Sequence, residues 1–510
     1  MNKNKLQNKS FINDLIFTYI SQFLLTVFHV VIIKLFAKSL TESDFGAYMV
    51  IKRFVALSFP IVTLKLGMSL SKFIGSNIKK RTAYYFLSFS ILSILMIFIF
   101  LISLVFKEPI AMLLFNNVRY KVFIFPMLLF LFISSLQVLT TGYFRGKHDF
   151  FLMNLNVILF WTIQLTVVIL ISILDIDSFF KLYYFYIYSS IGAFILYAYL
   201  ILQDTENITS KIRNFKNEGL ISKIKKNYEY IRYGIIRLPN GFFVAGISAI
   251  PVFYASNRIS LKSAGYIGAI VTIMRMFQLI GTPFNKLFLP KFSHKNAQGH
   301  SDDIKNSCKT IVEFIFTYPM LLGIVIYYIA PELILLWFGE DYAIIIEYLY
   351  ILSPFLGLAM IFILVRSILN GLYEYPYTFH ITFTSFIVVI LIIVITEIMS
   401  LGLMGAVIAH GVGIILLGII SLYVLLKKQK INFLTRNNLI SIAWLIVSFI
   451  ALNVFKVVIH IDNLILSLLV KAGISLIVFG VSFFLYRIFD FQWVKELTSR
   501  IKNKSFVNIT

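Results

Sequence analysis

Two arginines pose the chemical question. Gly46-Ala47-x-x-x-Ile51-x-Arg53 and Gly268-Ala269-x-x-x-Ile273-x-Arg275 share one pattern. A proline follows each (Pro60, Pro283), and then a lysine (Lys65, Lys286). Both patterns sit in apolar runs long enough to cross a bilayer. A cation there costs about 2.5–3.5 kcal/mol even on lenient insertion scales, so it needs a reason. One reason is an anionic ligand, because the planar guanidinium fork holds phosphate bidentately and stays charged. The other is structural: an arginine that bonds backbone carbonyls of a neighbouring helix. Lys52 lies 100° round the helix from Arg53, so the two cannot face one line. Arg237 adds a third arginine about two turns into its span, beside Pro239-Asn240-Gly241. Such a break frees backbone groups, which is tolerated where helices line a cavity. Arg53, Arg275, Arg237 and Lys52 are therefore the candidate substrate-binding residues. Lys65, Lys286 and Arg366 lie toward inner ends, where snorkelling is ordinary.

Acids within or near spans could couple a proton or Na⁺, and Asp14 and Glu313 are the candidates, with Glu397 nearer an outer end. The competing reading is an interfacial carboxylate paired with a nearby lysine. Gln137, Asn154, Asn156 and Gln164 could line a sugar path or serve as interhelical hydrogen-bond glue. No enzyme signature is present. There is no Walker A loop, no His/Cys/Asp cluster with metal-ligand spacing, and no long outer loop for a catalytic site. No cofactor is expected.

The elements that position these residues are membrane spans. Of 510 residues, 59% are hydrophobic and 14% charged, against about 25% charged in soluble domains. A ruler of about 20 apolar residues gives fourteen spans, the eighth at 264–288. The first is read as retained rather than cleaved. Lys and Arg concentrate in alternate connections, which places both termini in the cytoplasm. That same bias accounts for the net charge of +23 without nucleic acid. Lys456 and Lys471 count among the outer cations, and Glu332, Glu340, Asp341 and Glu347 fall to the connection between the ninth and tenth spans. The single Cys308 excludes an intramolecular disulfide.

The polar, basic stretch around 206–230 reads as a cytoplasmic linker between two six-span bundles, 1–205 and 231–430. The extra helices 13–14 and a cytoplasmic tail occupy 431–510. The repeated arginine pattern suggests a duplication, and duplicated bundles in transporters place substrate near the midplane. The expected fold is thus an all-α polytopic membrane protein of two pseudo-repeated bundles plus two helices.

Leu35-Phe-Ala-Lys-Ser-Leu-Thr-Glu-Ser-Asp-Phe45-Gly46-Ala-Tyr48 and Leu66-Gly67-Met-Ser-Leu-Ser-Lys72-Phe resemble the start of polysaccharide-export flippases. These are the Wzx-type O-antigen and capsule transporters of the multidrug/oligosaccharidyl-lipid/polysaccharide (MOP) superfamily. Tyr233-Gly234-x-x-x-Leu238-Pro239, Asn257-Arg258, Ala264-Gly265-Tyr266 and Leu289-Pro290-Lys-Phe-Ser293 extend the likeness to about residue 430. The resemblance implies a V-shaped, MATE-like pair of bundles in the inner membrane. It implies a flippase carrying undecaprenyl-diphosphate-linked glycan across the bilayer by alternating access. Arg53, Arg237 and Arg275 would meet the diphosphate-sugar, with membrane lipid, a polysaccharide polymerase and chain-length proteins as partners. Relatives often carry an acid where this chain has Asn257, which puts any role of that acid in doubt. The alternatives are a MATE-like multidrug/cation antiporter, which would need a buried carboxylate near the midplane, and a many-span polymerase or ligase, which would need a large outer loop.

Overall fold

The computed structural model describes residues 3–204, 220–278, 301–373, 375–458 and 461–489, with scattered positions from 281 to 298 and from 491 to 495. Side chains of residues 3–16 lie outside that description, as do Pro283, Lys286 and much of the expected linker. In lipid every backbone polar group must be satisfied within its own segment or a closed barrel, and every element among the described residues is helical. Thirteen helical segments are long and apolar enough to cross a membrane. The fourteenth expected span, 264–288, runs from α11 (Leu261–Gln278) into positions outside the described residues.

The chain forms two compact units, Met1–Gly268 and Ala269–Thr510. The first unit holds α1 (Lys3–Ser39), α2 (Glu42–Thr63), α3 (Leu66–Ser76), α4 (Arg81–Phe115), α5 (Ile124–Gly146), α6 (Phe150–Ile173) and α7 (Ser178–Asp204). Next come α8 (Leu220–Lys226) and α9 (Tyr228–Ile235), which begin inside the stretch expected as a linker, then α10 (Leu238–Tyr254) and the start of α11. Local chemistry sets the ends. Thr41 caps α2 by accepting from the Asp44 N–H at 3.3 Å, and Asp149 caps α6 by accepting from the Leu152 N–H at 3.0 Å. Such caps satisfy donors that have no partner within the helix. Packing of α3 on α5 depends on missing side chains. A Cβ on Gly142 would lie 2.3 Å from the Gly67 carbonyl oxygen, and one on Gly146 would lie 2.8 Å from that of Leu70. Small residues four apart let membrane helices approach this closely. The Ser71 hydroxyl then donates across to the Gly142 carbonyl at 3.2 Å.

The second unit holds α12 (Ser301–Ile315), α13 (Tyr318–Trp337), α14 (Ile345–Leu352), α15 (Leu356–Leu372), α16 (Tyr377–Ile398), α17 (Gly402–Gln429), α18 (Arg436–Val458) and α19 (Leu464–Ile488). Here too helices meet over glycine: a Cβ on Gly418 would lie 2.1 Å from the Leu358 carbonyl oxygen. The last two helices pack on α13. Leu321, Ile324, Val325 and Tyr328 bury against Leu445 and Leu452 there.

Candidate functional site: a cationic patch at two helix breaks

Two interruptions meet in the first unit. Between α2 and α3, Leu64 (φ 45) and Lys65 (φ 54) are both left-handed. This conformation is uncommon for a single non-glycine residue and rarer for two in a row. Pro60 stands one turn earlier and lacks the N–H that would continue the ladder. Between α9 and α10 the chain breaks at Ile236–Arg237, just before Pro239, which the first turn of a new helix accepts. The breaks pack directly on each other, because a Cβ on Gly234 would lie 2.4 Å from the Leu64 carbonyl oxygen. A Cβ on Gly241 would lie 2.7 Å from Lys65 Nζ.

Around this junction three cations gather. The Arg237 guanidinium carbon lies 3.7 Å from the centre of the Tyr233 ring, and its Nη1 donates to the Tyr233 carbonyl at 3.0 Å. Lys72 Nζ lies 4.2 Å from the same ring centre. One aromatic ring thus steadies two positive charges through its quadrupole. Neither Lys72 nor Arg237 has a carboxylate partner among the described residues. Lys72 is exposed and Arg237 half-buried, so both remain reachable. Tyr230 anchors the floor, stacking on Tyr84 at 4.8 Å and sharing a short hydrogen bond with Ser88. Chemically, the patch offers the Arg237 guanidinium fork and the Lys72 ammonium to an anion.

The other sequence candidates are dispersed. Arg53 is 1% exposed, and its Nη2 donates to the Gly268 carbonyl at 3.4 Å. That is the geometry of a structural arginine holding a neighbouring backbone. Lys52 Nζ lies 5.8 Å from the Tyr48 ring centre on the same helix. Arg275 is half-buried on the part of α11 belonging to the second unit. The Asp14 side chain lies outside the described residues. Glu313 is buried in α12 and accepts from Asn437 Nδ2 at 3.1 Å. The amides serve as glue: Asn154 donates to Thr18 at 2.9 Å, and Asn156 and Gln137 both donate to Thr141.

Lys72, which the sequence showed only as part of the flippase-like motif, joins Arg237 on the Tyr233 ring, and the i, i+4 spacing of Tyr233 and Arg237 was the readable signal for that ring. Glu332 and Lys471, placed by sequence in outer positions, are inside α13 and α19 and nearly fully buried. Lys471 Nζ lies 2.5 Å from Glu332 Oε1, which also accepts from Ser467 at 2.8 Å. Hydropathy alone cannot show this, because each residue sits in an apolar run and only tertiary packing brings the pair together.

The fold is that of the MOP superfamily transporters. A MATE family multidrug resistance transporter of that superfamily, in an inward-facing conformation, aligns with a TM-score of 0.63 over 80% of this chain and 94% of its own, at 14% identity. The lipid II flippase MurJ, in an inward closed conformation, aligns with a TM-score of 0.63 over 94% of this chain and 99% of its own, at 17% identity. A MOP superfamily transporter from Pyrococcus furiosus, described as having a binding pocket of reversed polarity, aligns with a TM-score of 0.53 over 83% and 96%, at 14% identity. None of these is an enzyme by its description. No family model and no curated protein matches the sequence. At such identities the likeness establishes the fold alone.

Proposed function

We propose that the protein is a flippase for lipid-linked glycans, moving a polyprenyl-diphosphate-bound oligosaccharide across the membrane for surface polysaccharide assembly. The observation that carries this reading is the pair Lys72 and Arg237 on the Tyr233 ring, neither with a carboxylate partner among the described residues, and with Lys65 close to Gly241 one turn further along. A diphosphate esterified to lipid at one end and sugar at the other still presents clustered negative oxygens, which a guanidinium fork and an ammonium group recognise. The lipid tail would stay in the bilayer while the head crosses by alternating access. Among the compared structures, MurJ is the one described as acting on a lipid-linked substrate, and the long alignment with it supports this choice. A cation antiporter is disfavoured, because its substrates would be repelled by the patch. The cytoplasmic placement of both termini and the role of Arg275 belong to the same proposal.

Flipping of a polyprenyl-diphosphate glycan by purified protein in liposomes tests it. Lys72→Ala with Arg237→Ala should abolish flipping while leaving the melting temperature in detergent unchanged. Flipping at the native rate by the double variant would refute the site, and absence of flipping by the native protein would refute the function.

A further inference from the structure

The second unit carries a charge imbalance where α13, α14 and α18 meet. Lys471 and Glu332 neutralise each other at 2.5 Å. Lys456, near the C-terminal end of α18, is the additional cation. Its Nζ lies 3.6 Å from the centre of the Tyr350 ring on α14 and 4.9 Å from that of Tyr327 on α13. It has no carboxylate partner among the described residues. The second oxygen of Glu332 is buried and accepts no hydrogen bond among the described residues, and the three charges sum to one positive.

An ordinary interfacial lysine extends away from the protein toward water. Lys456 instead folds inward onto two tyrosines. Its neighbours along α18 face outward and are apolar: Val457 is 73% exposed and Val458 71%, with Val454 and Phe455 also exposed. On a helix that crosses a membrane, those side chains meet acyl chains. The Tyr327 hydroxyl is committed to Asn453 Oδ1 at 3.1 Å, whereas the Tyr350 hydroxyl makes no hydrogen bond among the described residues. The notch therefore offers an ammonium, a phenol donor and a flanking apolar surface. Aromatic rings and a lysine at this level are the setting in which lipid headgroups are held.

We propose that this notch binds the phosphate of an anionic phospholipid, with Lys456 as its counter-ion and Tyr350 as a second donor. The site is independent of the proposed transport activity. Its chemistry could also admit a polyprenyl diphosphate, so the experiment separates the two sources. Full-length protein is reconstituted in mixed phosphatidylglycerol–phosphatidylcholine nanodiscs, and retained lipids are read by native mass spectrometry. A second arm adds farnesyl diphosphate.

Phosphatidylglycerol should be retained over phosphatidylcholine. Lys456→Gln should reduce that retention about fivefold, the effect of one lysine near an anionic surface, and Lys456→Arg should restore it. Farnesyl diphosphate should not displace the retained lipid. Equal retention of both phospholipids, retention unchanged in Lys456→Gln, or displacement by farnesyl diphosphate would each overturn the proposal. Lys456 is half-exposed, and a preserved melting temperature in the Gln variant shows that folding is not what changed.

Discussion

The Tyr233 patch of the first unit and the α13–α19 ion pair of the second treat charge in opposite ways. In the first, Arg237 and Lys72 share an aromatic ring and face no carboxylate among the described residues. In the second, Lys471 is nearly fully buried and matched by Glu332. A cation neutralised inside the protein has no charge left for a ligand and serves packing. A cation steadied only by a ring keeps its attraction for an anion. Arg53 is as buried as that pair, and its Nη2 donates to the Gly268 backbone carbonyl.

The contrast can be broken most sharply at Glu332. Glu332→Ala strands the Lys471 ammonium, and removing one member of a buried pair costs about 3–5 kcal/mol. Melting in detergent should fall accordingly, and Glu332→Met with Lys471→Leu should recover most of the loss. If the single and double variants melt alike, the pair is not structural.

A smaller effect is expected at the α3–α5 contact. Gly142→Ala forces a methyl against the Gly67 carbonyl. Overpacking of this kind costs about 1–3 kcal/mol. A melting curve that does not shift would mean that the helices separate freely, and the patch on α3 would then lack a rigid support.

The smallest effect concerns an exposed pair in the first unit, Lys262 with Glu42 at 2.5 Å. Its hydrogen bond to Glu42 pushes the Lys262 ammonium up from its usual range. Solvent screens such pairs, so Lys262→Ala should leave the melting temperature within experimental scatter. A clear drop would show that exposed charge in this unit also bears on stability, and would weaken the distinction from the buried pair.

Much of the architecture was legible from apolar length. The spans, the break before Pro239 and the arginine beside it follow from residue type and spacing alone. Arg237 was a site candidate for that reason. Lys72 was not, because its role depends on a ring that α9 brings to it across a long sequence gap. The repeated arginine pattern was legible as a pattern but not as geometry. Arg53 is closed in by packing against Gly268, and Arg275 is only half-buried. Identical local motifs do not fix what surrounds them. Glu332 and Lys471 were misplaced by the same limit, since each alone looks like an end-of-span charge.

The Lys471–Glu332 pair also bears on how the chain is made. Helices enter a membrane in order, and Glu332 precedes Lys471 by well over a hundred residues. Until α19 arrives, the α13 carboxylate lacks the ammonium that contacts it directly, and α19 carries that ammonium about two turns into its apolar run. Each helix alone carries a charge that costs about 2.5–3.5 kcal/mol at the bilayer centre, and the two charges together neutralise each other. The last hairpin thus completes α13 rather than merely extending the chain. A chain that stops before α19 leaves Glu332 without both of its partners, Lys471 and Ser467.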